Sequence, residues 1–426
     1  MEKKDYAQMW KDLGLNLEAH DQLLAVLGKA YKEIYLSQEG RPKGMQYLDF
    51  VISEVHGLRV EELMREKQKG NKVIGTFCVY VPEELILAMG GTCVSLCAGA
   101  DIGIAEAEKV LPRNTCALIK SFMGFKLAGL CPYIQASDLV VGETTCDGKK
   151  KAYEILNDYK ETYVMEIPHM KTERGRALWR GEVLQFREKL EQITGRKLTM
   201  ENLAKGMKIA NGKRKVLQRF SKLRRSNPSP ISGLDGLLVN QISFYDDPIR
   251  FTKNINALCD ELEDRVKKGI GVVSRGTPRI VIAGSPMVAP NWKIPYVVET
   301  SGAMIVAEES CVGERNTRDL VEETGEALDE LIDAIVDRYM KIDCACFTPN
   351  KERVEHILDL AQNFQADGVI HYNIQFCTPY SMESHKVEKA LEQRRIPFLK
   401  IETDYGTEDL GQLKTRIEAF LEMVRG

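Results

Sequence analysis

The chain has 426 residues, with 59 Lys+Arg against 62 Asp+Glu, 44% hydrophobic residues and 11 cysteines. That length supports two or three domains, each able to bury its own core. A formal charge of -3 gives no global field for nucleic acid or an anionic membrane, and the ordinary hydrophobic content excludes disorder.

The opening stretch MEKKDYAQMWKDL has no apolar run of the kind a secretory signal needs. The longest uncharged stretch, Leu85 to Ala100, is 16 residues long and carries Gly90, Gly91, Thr92 and Ser95. A spanning helix needs about 20 mostly apolar residues, so this segment is expected to be a buried strand and loop. A soluble, cytoplasmic protein with no membrane and no nucleic-acid partner is the expectation.

In chain order, residues 1–68 read as helical, because Leu23, Leu24, Val26, Leu27, Ala30, Ile34 and Tyr35 recur at helical spacing. From Lys72 the texture changes to short apolar runs alternating with helical patterns. Strands are expected at Lys72 to Val79, Thr92 to Cys97, Asp138 to Gly142 and Tyr163 to Ile167. Helices are expected from Pro82 to Met89, Arg113 to Leu127 and Gly148 to Tyr159. Residues 171–275 lose the strand signal and read as a helical linker or insertion, with the breaker cluster Ser226-Asn227-Pro228-Ser229-Pro230 inside it. Strands resume at Ile280 to Ala283, Ala303 to Ala307, Gly368 to Tyr372 and Phe398 to Ile401, with helical segments 319–340, 350–365, 382–394 and 408–424. The expected class is α/β: two Rossmann-like or flavodoxin-like parallel-sheet domains at 69–170 and 276–426.

The odd number of cysteines, in a large chain with no export signal, argues against a disulfide framework. Ligands in open α/β sheets collect beyond the carboxyl ends of the strands. Nine cysteines fall on loops or element ends that could face such a crevice: Cys78, Cys97, Cys116, Cys131, Cys146, Cys311, Cys344, Cys346 and Cys377. Cys93 and Cys259 read as interior residues. Soft thiolates select zinc, copper(I) or iron–sulfur clusters, but the chain has no Cys-x-x-Cys, which speaks against zinc ribbons and ferredoxin loops. Spacing alone leaves two readings open: a cluster in a domain cleft, or reduced structural thiols.

The motifs Val81-Pro82-Glu83-Glu84-Leu85 and Leu111-Pro112-Arg113-Asn114-Thr115-Cys116 resemble the 2-hydroxyacyl-CoA dehydratase and benzoyl-CoA reductase superfamily. Cys131-Pro-Tyr, the run from Ser137 through Cys146 to Lys151, Cys344-Ala-Cys346, Cys377-Thr-Pro-Tyr380 and Ile401-Glu-Thr-Asp404-Tyr resemble its double-cubane cluster proteins. The likeness runs from about Val73 to the C-terminus. It implies a homodimer of two-domain subunits, each holding two [4Fe–4S] cubanes bridged by one sulfide, an [8Fe–9S] group. It also implies a low-potential reductase of a small substrate, fed by a separate ATP-hydrolysing iron–sulfur activator. A single-cluster (R)-2-hydroxyacyl-CoA dehydratase subunit is the alternative.

A bridged pair of cubanes leaves six irons for cysteine. The dehydratase pattern carries Cys116, Cys146 and Cys377 over to one cubane. Cys131, Cys311 and Cys346 are chosen for the other, with Cys344 or Cys97 able to replace any of these three.

Other features carry competing readings. Gly142 to Lys149 follows a strand and opens a helix, yet its glycines are one residue too far apart for a P-loop, and Lys150 stands where a magnesium-binding hydroxyl belongs. Lys149, Lys150 and Lys151 either neutralise an anionic cluster, dock the activator or form a solvated helix face. Lys205 to Arg225 contains nine basic residues and no acidic one, which suits a basic helix face or a patch for an acidic partner. His169 and His371 end predicted strands and are candidate proton donors, weighed against satisfied structural histidines.

Overall fold

The computed structural model describes residues 4–426. Four helices lead the chain: α1 (Ala7–Asp12), α2 (Leu17–Ile34), α3 (Met45–Ser53) and α4 (Leu58–Gln68). The first sheet follows with β1 (Val73–Thr76), α5 (Glu83–Ala88), β2 (Thr92–Ser95), α6 (Ile104–Ala107) and α7 (Ala117–Leu127). It is completed by α8 (Pro132–Ala136), β3 (Leu139–Glu143), α9 (Asp147–Asn157) and β4 (Thr162–Met165). Four helices then run without a strand: α10 (Glu173–Thr194), α11 (Met200–Leu223), α12 (Gly233–Ile242) and α13 (Pro248–Lys267). The second sheet brings β5 (Arg279–Gly284), α14 (Lys293–Thr300), β6 (Met304–Glu309), α15 (Glu314–Thr317), α16 (Leu328–Met340) and α17 (Lys351–Asn363). The chain closes with β7 (Gly368–Ile374), α18 (Thr378–Gln393), β8 (Phe398–Thr403) and α19 (Leu410–Arg425).

Both sheets are parallel and four-stranded, with orders β2-β1-β3-β4 and β6-β5-β7-β8. The two halves therefore repeat one doubly wound topology that their sequences do not reveal, and the α/β class is as expected. β1, β3, β5, β6 and β7 are buried along their whole lengths, as strands covered by helices on both faces must be. Helix starts are fixed by side-chain caps: Thr172 accepts from Gly175 N–H at 3.1 Å, Thr199 from Asn202 at 3.2 Å, and Ser232 from Asp235 at 3.0 Å.

Several predicted elements are shorter than expected, and in two the side chains that end them are visible. β1 stops at Thr76 because the Cys78 N–H turns to the Glu143 carboxylate, at 3.2 Å, instead of a ladder carbonyl. The helix expected from 319 begins only at Leu328. Upstream, the Asn211 amide takes both backbone groups of Val321, donating to its carbonyl at 2.8 Å and accepting from its N–H at 3.0 Å, which excludes helical pairing there.

The halves meet backbone to backbone. Gly99 N–H donates to Ala289 O at 3.1 Å, and a Cβ at Gly99 would lie 2.2 Å from Val288 O, so only glycine allows that approach. Helix α12 is buried on every face, and its Gln241 binds the second half through Met287 O and Trp292 Nε1 at 2.8 and 2.9 Å. One apolar core runs continuously through both halves. Among the described residues, no helix is long and apolar enough to cross a membrane.

Candidate functional site

In each sheet the strand order reverses beside the first strand, and the loops after the carboxyl ends of the strands face the other half. Between them lies a cavity of about 140 Å³ lined by Cys78, Cys93, Cys97, Cys116, Cys146, Cys311, Cys344, Cys346 and Cys377. Cys78 follows β1, Cys97 follows β2 and Cys146 follows β3; Cys311 follows β6 and Cys377 follows β7. Cys344 and Cys346 sit on a turn closed by Phe347 N–H to Cys344 O at 3.1 Å. All eleven cysteines are free thiols.

Three of these cysteines stand at the N-cap position of a helix, though only the Cys146 thiol makes a capping hydrogen bond. Cys116 opens α7, Cys146 opens α9 and Cys377 opens α18, so each sulfur lies at the positive end of a helix dipole. The Cys146 Sγ accepts from the Lys149 N–H at 3.4 Å. Cys116 and Cys377 come from different halves and stand close enough to act on each other: Cys377 lowers the Cys116 pKa, and Cys116 raises that of Cys377. Cys344 and Cys346 form a second such pair: Cys346, the nearby Arg315 guanidinium and the Tyr380 hydroxyl hold Cys344 well below an ordinary thiol. The Tyr380 Oη lies 3.5 Å from Cys344 Sγ. Burial pushes Cys311 up to about 11 and Cys97 up to about 12.

Of the six cysteines singled out from the sequence, the cavity collects Cys116, Cys146, Cys311, Cys346 and Cys377, but not Cys131. Cys131 caps α8, its Sγ accepting from Ile134 N–H at 3.5 Å, and it is buried in the core beside Leu130 and Tyr133. The loop expected there is a helix with Pro132 at its first position, a start signal that was readable. Cys93, assigned from sequence to the interior, lines the cavity instead. The two-residue period of edge strand β2 puts it on the same face as Ser95, with its Sγ 3.6 Å from Thr76 Oγ1. Cys259 is buried in α13, away from the site.

Neither histidine lines the cavity. His169 is exposed beyond β4, and His371 lies within β7, which runs to Ile374 instead of ending beside it. Burial, with Arg353 close by, holds His371 at about 3, so it stays neutral. The P-loop likeness also dissolves. Gly142 belongs to β3, and a Cβ there would lie 2.6 Å from the Tyr153 ring; the glycine serves strand–helix packing and no phosphate.

The basic run of α11 points largely inward or is neutralised. Lys213 donates to both Glu83 oxygens at 2.7 Å, and Arg214 pairs with Glu84 at 2.5 Å. Arg224 holds Glu308 through two 2.7 Å bonds, and Arg219 pairs with Asp260 and Glu263. Lys213 and Glu83 themselves line the cavity, with Ser243 and Asp246. This polar lining was not foreseen, because its members are far apart in sequence.

Among the described residues, no three His, Cys, Asp or Glu side chains converge closely enough to hold one metal ion. Thiols spread around a cavity many times the roughly 10–15 Å³ that one water needs suit a polynuclear group bound at its periphery.

Fold and cavity together define a two-sheet α/β protein built around a thiol-lined cleft. The chain belongs to the family described as 2-hydroxyglutaryl-CoA dehydratase, D-component, whose model matches residues 78–424. It is 38% identical over 365 residues to "Putative dehydratase subunit YjiM" of Escherichia coli (strain K12), covering 85% of this chain and 94% of that protein. It is 27% identical over 361 residues to the (R)-phenyllactyl-CoA dehydratase beta subunit of Clostridium sporogenes, covering 84% and 92%. To a benzoyl-CoA reductase subunit of Thauera aromatica it is 21% identical over 366 residues, covering 85% and 93%. The relatives are dehydratase and reductase subunits, so the family is one of enzymes.

Proposed function

We propose that this protein is a low-potential iron–sulfur reductase that holds a bridged pair of [4Fe–4S] cubanes and receives electrons from a separate ATP-hydrolysing activator. The observation that carries the reading is the convergence of nine thiols, from both sheets, on one cavity. Six suffice for two bridged cubanes, and a lone cubane with one open iron needs only three. Cys116, Cys146 and Cys377 would hold one cubane, each placed by a helix start. With Cys131 outside the cavity, the second cubane would take three of Cys78, Cys311, Cys344 and Cys346, which influence one another's ionisation.

Such a group, when bound, supplies one-electron chemistry at low potential. The chain's own residues do the rest. Phe77, Val79, Leu118, Ile119, Val312 and Ile374 supply an apolar lining that excludes water. The Tyr380 hydroxyl, hydrogen-bonded to Arg315, donates toward Cys344. Glu83 and Lys213 supply a polar pair on the lining where a small substrate can be oriented and a proton held at Lys213 Nζ. The lack of a P-loop supports an activator that hydrolyses ATP elsewhere.

A second reading, a 2-hydroxyacyl-CoA dehydratase subunit with a single cluster, is favoured by the dehydratase family match. Anaerobic purification with iron and acid-labile sulfide determination separates the two. About eight irons per chain are expected; about four would favour the dehydratase, and none would overturn both.

A further inference from the structure

Among the three consecutive lysines that open α9, two face solvent and one does not. Lys150 pairs with Asp147 at 2.7 Å and Lys151 with Glu154 at 2.6 Å, both at the surface. Lys149 is only 8% exposed and lines the thiol cavity. Among the described residues, no carboxylate lies within ion-pairing distance of its Nζ. The nearest buried acid, Glu143, has one oxygen on the Cys78 N–H and the other without a partner, and burial lifts its pKa to about 7. The other cations near the thiols are already neutralised: Lys213 by Glu83 at 2.7 Å, Arg214 by Glu84 at 2.5 Å and Arg315 by Glu309 at 2.6 Å.

A buried charge without a partner is expensive, and the chain carries this one at the place where thiols from both halves meet. Lys149 lines the same cavity as Cys78, Cys97, Cys146 and Cys311, three sulfurs from the first half and one from the second, and its own N–H holds the Cys146 sulfur at 3.4 Å.

We propose that Lys149 is the counter-cation of the thiolate-held iron–sulfur group and sets its reduction potential. The inference rests on the iron–sulfur reading above. In a site of low dielectric, a fixed positive charge favours each added electron, so its removal makes reduction harder.

The test is an anaerobic redox titration, followed by EPR, of wild type, Lys149→Met, Lys149→Gln and Lys149→Arg, with iron determined on each sample. The neutral variants should keep their iron while the midpoint potential becomes more negative, and Lys149→Arg should restore most of the shift. Full iron with an unchanged potential in Lys149→Met and Lys149→Gln overturns the inference and leaves the iron–sulfur reading standing. Loss of iron from both neutral variants, with native circular dichroism, also overturns it, because Lys149 would then be needed to assemble the site. Wild type without iron removes both readings at once.

Discussion

A cysteine's role here is set by where the residue before it leaves its element. Cys131 and Cys146 are both helix caps, and both sulfurs accept a backbone N–H three residues on, at 3.5 and 3.4 Å. Cys131 nevertheless points into the core, where burial pushes its pKa up to about 11, whereas Cys146 opens into the shared cavity. Serine can replace either sulfur as a cap acceptor. Cys146→Ser is therefore expected to lose a large share of the bound iron, and Cys131→Ser to keep it at the cost of at most about 1–2 kcal/mol of stability. Parallel iron assays on the two variants decide the matter; equal loss would return Cys131 to the ligand set.

Elements position the site through a few close approaches. Helices α5 and α11 cross at Gly206, where a Cβ would lie 2.4 Å from Glu84 O and 3.0 Å from Ala88 N. That crossing is what lets Lys213 and Arg214 reach Glu83 and Glu84 at the edge of the cavity. Gly212, on the same helix, has no atom within 4 Å of its Cβ position. Alanine adds up to about 1 kcal/mol of helix propensity at either place. At Gly206 the clash with backbone outweighs it, and a net loss of about 1–3 kcal/mol is expected. Chemical denaturation of Gly206→Ala and Gly212→Ala should thus move in opposite directions; a stabilised Gly206→Ala would mean that the helices can separate freely.

Across the whole molecule, the four leading helices are joined by a histidine pair, His20 buried and His56 half-buried, that reaches the first half through Tyr133. His20 Nε2 lies 2.9 Å from His56 Nδ1, Trp10 packs edge-on against His20, and Tyr133 of α8 packs edge-on against His56. Burial lowers His20 to about 4 and His56 to about 3, with only Asp21 opposing the shift at His20. The folded protein therefore resists a proton that the unfolded chain accepts near pH 6.5. Stability is fully present above that value and is lost as pH falls toward 4, by roughly 1.4 kcal/mol per pH unit for each proton taken up. Melting temperatures between pH 7.5 and 5 should fall more steeply for wild type than for His56→Asn. Parallel slopes would exclude the pair as the source.

The sequence by itself determined the alternation of strands and helices, the parallel sheets and the gathering of cysteines at loops, because hydrophobic period and strand-end position are local properties. It also carried the family motifs that contain Cys116, Cys146 and Cys377. Only the tertiary structure decided which sulfurs share a cavity, exchanging Cys131 for Cys93, and it alone turned Lys149 inward while Lys150 and Lys151 face water. It also spent the basic run of α11 on buried acids from α5 and β6. A side chain's direction beyond the end of an element depends on what a distant part of the chain packs against it. Cys116 and Cys377 stand in opposite halves of the chain and still line one cavity, a pairing that no local pattern can encode.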